Sequence, residues 1–276
     1  MKAALIQLCS SDDPAANLSM VQDRVAQAAA QGAGFVLTPE VTNCLSTSRK
    51  HQQEVLKLEA QDQTLPALRD QARELGIWLL IGSLGLKTGD ADGRFANRSF
   101  LIGPDGAVAA WYDKIHMFDV DVTPEETYRE SDGYRPGTRA VVQDAGFATI
   151  GMSVCYDVRF PALYRALAQA GAQVITVPAA FSPVTGAAHW HSLLRARAIE
   201  TGCYVLAPAQ CGTHPSQGSK QRSTYGHSLA VSPWGEVLVD GGTEPGIHFV
   251  DIDVKTVDEA RRKVPSLSHG RPFDGP

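Results

Sequence analysis

Gly151-Met152-Ser153-Val154-Cys155-Tyr156-Asp157-Val158-Arg159-Phe160-Pro161 is the stretch on which the reading of this chain turns. An apolar run stops at a thiol, and a polar, charged turn closed by a proline follows. The end of a buried strand, just before a helix, is where a nucleophile is placed. The thiolate is the reactive form of cysteine, and a helix N-terminus or a nearby cation lowers its pKa. Two other segments end in the same way. Thr38-Pro39-Glu40 follows the apolar run Gly34-Phe35-Val36-Leu37, and Tyr112-Asp113-Lys114-Ile115-His116 follows a hairpin-like stretch. A glutamate, a lysine and a cysteine, each at the end of its own strand, can meet at one edge of a sheet.

Outward from that stretch, strand-like and helix-like segments alternate, which predicts an α/β fold of helix-covered sheets with mixed pairing. Strands are expected at Ala3–Leu8, Phe35–Leu37, Ile77–Gly82, Phe147–Cys155, Val174–Val177, Tyr204–Ala209 and His248–Ile252. Helices are expected at Asn17–Gln31, Leu58–Leu75, Pro161–Ala170 and Thr185–Thr201, several closed by a glycine, with a short basic helix near Val257–Lys263. Two hairpins interrupt the alternation: Arg98–Ile102 with Ala107–Tyr112 around Pro104-Asp105-Gly106, and Ser228–Ser232 with Val237–Asp240 around Pro233-Trp234-Gly235. They give the two halves a loose echo of one another. Residues 124–136 and 211–226 read as long polar loops, of the kind that carry substrate contacts.

The length of 276 residues suits a single domain over 1–276 with a tail from about 265. Such a chain can bury a large core. With 43% hydrophobic and 20% charged residues it is not a disordered chain. The net charge of -5 offers no basic patch, so neither nucleic acid nor an anionic membrane surface is expected as a partner. The apolar start at Met1–Leu8 is too short for a signal peptide and reads as the first strand. No stretch approaches the ~18 apolar residues of a membrane span. The five cysteines, at 9, 44, 155, 203 and 211, contain no Cys-x-x-Cys pair. An odd, scattered set argues against a disulfide framework or zinc knuckle and for a reducing cytoplasm. Four of them read as small buried hydrophobes.

The three segments around Glu40, Lys114 and Cys155 match, in order and spacing, those of the nitrilase superfamily of carbon–nitrogen hydrolases, which this sequence resembles over all but about its last dozen residues. The resemblance implies a four-layer α-β-β-α sandwich and an amide-cleaving cysteine chemistry that needs no cofactor. Breaking an amide requires a nucleophile, a proton carrier and a stabiliser for the oxyanion. By the resemblance, Cys155 attacks the carbonyl to form a thioester, and Glu40 is the general base that moves the proton to the leaving amine and then activates water. Lys114 stabilises the oxyanion, with the backbone N–H of Tyr156 beside it. Removing one such donor typically costs roughly 3–4 kcal/mol of transition-state stabilisation. Glu130 matches a second family glutamate that holds the lysine; the alternative is a solvated loop acid. Asp157 and Arg159 form an ion pair at the helix entry, or else Arg159 meets a substrate carboxylate. Ala180 and Phe181 read as pocket wall, with core packing as the alternative. Glu40 beside Lys114 is a contest between burial and charge pairing, and the sequence leaves its protonation open.

His189-Trp190-His191 raises the question of a metal. It lies in a helical stretch, where positions two apart point in roughly opposite directions and share no ligand site. His116, His214 and His227 add no helpful spacing, so no metal is expected.

Phe181 to Trp190, Leu193 to Thr201, Ala209-Gln210-Cys211-Gly212 and Tyr225-Gly226-His227-Ser228 resemble the deaminated-glutathione amidase branch of the superfamily. That implies a repair hydrolase acting on a small carboxylated linear amide, releasing 2-oxoglutarate and cysteinylglycine from deaminated glutathione. It also implies a homodimer through the helix after Cys155 and the Ala-His-Trp helix. An ω-amidase or N-carbamoyl hydrolase with the same triad is the alternative substrate reading, and a non-catalytic interaction protein on this fold is the alternative class. A true nitrilase matches the flanks less well. One departure is His191, where many relatives carry Glu, and it bears on local substrate contacts or helix pairing.

Overall fold

Alternation along the first strand decides the layering. β1 (Lys2–Gln7) turns Ala3 and Leu5 into one apolar cluster and Ala4 and Ile6 into another, because successive side chains on a strand face opposite ways. The computed structural model describes residues 1–123, 126–217 and 221–275.

The first half runs β1, α1 (Pro14–Ala30), β2 (Phe35–Leu37), α2 (Arg49–Val55), α3 (Thr64–Leu75) and β3 (Trp78–Lys87). It then adds the hairpin of β4 (Phe95–Ile102) and β5 (Val108–Asp113), and a small one of β6 (Asp119–Thr123) and β7 (Glu126–Arg129). The second half has β8 (Val141–Asp144), β9 (Thr149–Met152), α4 (Pro161–Gln169), β10 (Val174–Thr176), α5 (Pro183–Thr201) and β11 (Tyr204–Ala207). After these come β12 (Cys211–Thr213), β13 (Ser223–Tyr225), the hairpin of β14 (Leu229–Val231) and β15 (Val237–Asp240), then β16 (Gly246–Asp251) and α6 (Lys255–Lys263).

Two six-stranded sheets result, ordered β16-β1-β2-β3-β4-β5 and β8-β9-β10-β11-β14-β15. Each has three parallel central strands, an antiparallel strand on one side and an antiparallel hairpin on the other. The echo between the two hairpin halves is therefore a repeated topology. Leu5, Leu37, Leu80 and Leu101 of the first sheet meet Ile150, Met152 and Val174 of the second in a shared central layer. Outside the first sheet, Val21, Val25 and Ala28 of α1 and Leu65, Leu68 and Ala72 of α3 cover Ala4, Ile6, Val36 and Ile81. Outside the second, Tyr164 and Leu167 of α4 and Trp190 and Leu194 of α5 pack in. This is the expected α-β-β-α sandwich.

Several expected boundaries shift, each for a local reason. α1 starts at Pro14, not Asn17, because Asp13 Oδ1 accepts the N–H groups of Ala15 and Ala16 at 2.9 and 3.3 Å. The expected helix from Leu58 begins only at Thr64. Asp62 Oδ1 caps Leu65 N–H at 2.8 Å, and only a single 3-10 turn precedes it. β3 runs on past Gly82 to Lys87. The expected strand Phe147–Cys155 shrinks to Thr149–Met152, and Cys155 opens a 3-10 turn over Cys155–Arg159. The expected polar loops fold largely into the β6–β7 and β12–β13 hairpins; residues 124–125 and 218–220 of those loops lie outside the described residues. In the tail, Leu267 packs against the apolar cluster that α4 shares, and its carbonyl accepts from Arg165 Nη2 at 3.2 Å. Among the described residues no helix is long and apolar enough to cross a membrane.

Candidate active site

Cys155 sits where β9 gives way to its turn, with φ at 49°. A non-glycine residue in the left-handed region persists only when its surroundings hold it. They do: Cys155 N–H donates to Pro178 O at 2.9 Å, past the end of β10. The turn itself is built around Asp157, which is fully buried. Asp157 Oδ2 accepts from Tyr112 Oη at 2.7 Å and Val154 N–H at 2.8 Å, while Oδ1 accepts His116 N–H at 3.0 Å and faces His116 Nδ1 at 2.6 Å. The Asp157–Arg159 ion pair therefore does not form. Arg159 instead places Nη2 3.2 Å from His189 Nδ1, with its guanidinium 5.5 Å from the Phe181 ring and 6.0 Å from the Tyr156 ring.

Glu40 follows β2 in a turn that crosses β3 at Gly82. A Cβ at Gly82 would lie 2.0 Å from Thr38 O and 2.4 Å from Pro39 O, so only glycine admits the turn. Val41, next to Glu40, is a β-branched residue held at φ 48°, with its N–H on Ser83 Oγ at 2.8 Å. Gln210 Nε2 fixes the Glu40 carbonyl at 3.0 Å. The carboxylate takes Asn97 Nδ2 and Lys114 Nζ on Oε1, both at 2.9 Å, and Ala180 N–H on Oε2 at 2.9 Å.

Lys114 follows β5 and is only 2% exposed, so its charge is answered chiefly by protein groups. Glu130 chelates its ammonium at 2.9 and 2.8 Å and takes Phe118 N–H on Oε2 at 2.6 Å. The lysine thus lies between two carboxylates, and the solvated-loop alternative for Glu130 does not hold. Burial pulls the Lys114 pKa down, but Glu130 and Glu40 overcome it and hold the ammonium well above its ordinary value. For Glu40, burial pushes up, yet the Lys114 charge, the Cys155 and Lys114 hydrogen bonds and the Arg222 charge bring it below 4.5. Cys155 goes the other way. Burial first, then the Glu40 charge, lift its thiol well above the ordinary range, and Lys114 only partly offsets this. The protonation that the sequence leaves open thus falls on the side of a neutral thiol beside an ionised glutamate. The resting pair is a neutral thiol and an ionised carboxylate in one cavity wall, an arrangement in which base and nucleophile are matched by position.

These groups open into a cavity of about 640 Å³. Glu40, Lys114, Glu130, Cys155, Tyr156, Ala180 and Phe181 all line it. Arg159 stands behind the Phe181 wall. No acceptor among the described residues takes the Tyr156 N–H. Asn97 and Arg222 also line the cavity and were missed from sequence. The signal for Asn97 was an amide at an inward position of a buried strand. For Arg222 it was a cation in a segment that reads as loop.

The histidines fall differently from expectation. His189 and His191 do diverge, but His191 joins His227 across Asp240, their ligand-type atoms lying within 4.8 Å of one another. His191 Nε2 meets Asp240 Oδ2 at 2.9 Å and His227 Nδ1 meets Oδ1 at 2.8 Å. Each imidazole thus already has its own carboxylate oxygen, and the cluster reads as a polar tie between α5 and β15. The departure at position 191 touches neither the cavity nor the α4 contact.

A buried thiol–carboxylate–ammonium site between two sheets of a four-layer sandwich defines a cysteine hydrolase, and comparison with known proteins gives the class its name. The family model described as carbon-nitrogen hydrolase matches residues 2–262. The deaminated glutathione amidase of Yersinia enterocolitica is 39% identical over 274 residues, covering 97% of this chain and 92% of that protein. The NitFhit protein of C. elegans superposes with a TM-score of 0.90 at 34% identity; the match covers 98% of this chain and spans 65% of that one. An amidase from Nesterenkonia sp. AN1, carrying acrylamide added at its active-site cysteine, superposes with a TM-score of 0.76 at 30% identity over 96% of this chain and 98% of that one. The chain belongs to the carbon–nitrogen hydrolase family.

Proposed function

We propose that this protein is a cysteine amidase acting on a small carboxylated linear amide, with deaminated glutathione as the substrate and 2-oxoglutarate and cysteinylglycine as the products. The observation that carries the chemistry is the buried Glu40 carboxylate, held by Lys114 and by the Ala180 N–H at 2.9 Å each, in the same cavity wall as the Cys155 thiol. The substrate rests on the name of the Yersinia relative. Glu40 takes the thiol proton as Cys155 Sγ adds to the amide carbonyl. The oxyanion forms against Lys114 Nζ and the Tyr156 N–H. Glu40 returns the proton to the amine, the C–N bond breaks, and a thioester remains on Cys155. Water, deprotonated by Glu40, adds to the thioester and releases the acid and the thiol. Glu130 keeps Lys114 in place, Ala180 and Phe181 shape the wall, and Arg159 backs the Phe181 ring from outside the cavity.

The chain is read as one domain over 1–276 with its tail from about 265, working as a cytoplasmic homodimer. Support for the dimer is the small, exposed face of α4 and α5, where Ala162, Ala166, Ala188, Ser192 and Ala196 are open to solvent beside Ile199 at 55% exposure. Support for the compartment is five cysteines without a disulfide.

The test is release of 2-oxoglutarate from deaminated glutathione and from 2-oxoglutaramate, with wild type beside Cys155→Ala. The expected result is a much higher kcat/KM for the glutathione derivative, lost in the variant. Preference for 2-oxoglutaramate would make the protein an ω-amidase; activity surviving in Cys155→Ala would overturn the mechanism. Sedimentation as a monomer at micromolar concentration would overturn the dimer.

A further inference from the structure

The cations that line the cavity are not equally occupied. Lys114 is answered by Glu40 and Glu130, and Arg129 by Asp121 at 2.8 Å. Arg49 donates to the carbonyls of Gly133 and Gly93 and lies over the Phe95 ring. Arg222 has no carboxylate partner among the described residues. Its Nη2 donates to Ala180 O at 2.7 Å, its guanidinium is 5.6 Å from the Tyr128 ring, and its Nε is buried without a hydrogen-bond partner. A charged group with unused donors at the wall of a cavity is held ready for an anion, and a guanidinium suits a carboxylate above all.

Its backbone is fixed in advance. Arg222 O accepts His214 N–H at 2.9 Å. The adjoining β13 is locked to α5 because Tyr225 fills the space where a Cβ on Gly186 would come within 2.3 Å. Position in the reaction follows from Ala180. Its N–H holds Glu40 Oε2 and its carbonyl holds Arg222, so a single residue bridges the guanidinium and Glu40. In the proposed reaction the amine departs toward Glu40, which gives it a proton. Arg159, by contrast, belongs to the turn that carries the nucleophile.

We propose that Arg222 binds a carboxylate on the leaving amine and thereby selects amides whose amine half is itself an acid, as a peptide C-terminus is. This rests on the amidase reading above and adds the side of the substrate that is read.

The test compares deaminated glutathione with its analogue in which the terminal glycine carboxylate is a carboxamide, in wild type, Arg222→Gln and Arg222→Lys. Wild type is expected to favour the carboxylate on the order of 10- to 100-fold in kcat/KM, the range of a hydrogen bond to a charged group. Arg222→Gln is expected to erase that preference and Arg222→Lys to keep part of it. If Arg222 acts only by pinning Ala180 and hence Glu40, both substrates slow together and the preference survives, which overturns the proposal. No turnover of either compound by wild type would instead sink the substrate assignment, and this inference with it.

Discussion

Each sheet ends its outer hairpin on a charged cluster, and the two clusters behave differently. At the end of β5, Lys114 enters a pair of carboxylates and a thiol and is 2% exposed. At the topologically matching end of β15, Asp240 sits between His191 and His227 with its side chain 36% exposed. Both are three-way contacts of acids and bases at 2.8 to 2.9 Å. Water decides what each does. Around Asp240 the solvent screens the charges and the contacts are worth little. Around Lys114 no solvent intervenes, so every charge depends on its neighbour and protonation of one resets the rest. The lesson is that burial, more than the identity of the charged groups, makes one of these clusters a candidate for chemistry.

The comparison can be broken at several points. The largest effect is expected at the nucleophile: Cys155→Ala should lower kcat/KM by on the order of 10⁴-fold or more, measured by product release, with an unchanged circular dichroism spectrum. Next comes the cation. Lys114→Met leaves the buried Glu40 and the half-buried Glu130 carboxylates without their counter-charge and should cost about 3–5 kcal/mol of stability in urea unfolding; a change under 1 kcal/mol would mean the site is wetter than its burial implies.

His214 offers an intermediate case, an imidazole buried without an acid. Burial, helped by the Arg222 charge, pushes its pKa down to about 4, while its ring nitrogens lie 2.8 Å from Ser10 O and 2.7 Å from Thr224 Oγ1. The neutral form is thus preferred in the fold. Stability from this group is fully present above its unfolded value of 6.5 and is lost as pH falls toward 4, by roughly 3 kcal/mol in all. His214→Asn should flatten that part of the stability–pH curve; an unchanged slope would place its origin elsewhere. The smallest effect belongs to the exposed cluster. Asp240→Asn should shift stability by no more than about 1 kcal/mol, given its screening by solvent, and leave kcat/KM within about twofold. A larger loss of activity would show that α5 needs this tie to hold the cavity wall.

The parts legible in sequence were those that end a strand abruptly. Glu40, Lys114 and Cys155 each follow an apolar run, and the sheets' strands and the long helices α1 and α5 announced themselves by period and by terminal glycines. What stayed hidden depends on distance along the chain. Asn97 occupies an ordinary alternating position of β4, and only the crossing of the chain 57 residues away gives it Glu40 to hold. Asp240 meets His191 over a separation of 49 residues, beyond any local pattern. Asp157 looked like a partner for Arg159, two positions on, but Tyr112 and His116 claim it first. The direction of the Cys155 pKa stayed open for a related reason: its cation could be read locally, whereas the burial that outweighs it comes from tertiary packing.

Glu40, Asn97 and Lys114 ride on one sheet, Cys155 and Ala180 on the other, and the apolar layer between them sets the gap together with the Ala180–Glu40 and Tyr112–Asp157 hydrogen bonds that cross it. That layer is a spacer in the machinist's sense, a shim whose thickness fixes the reach from thiol to carboxylate. Catalytic rate in this protein is therefore a gauge of shim thickness. A methyl group removed at Leu37 or Met152, both fully buried, is expected to change kcat as well as to lower stability by about 1 kcal/mol.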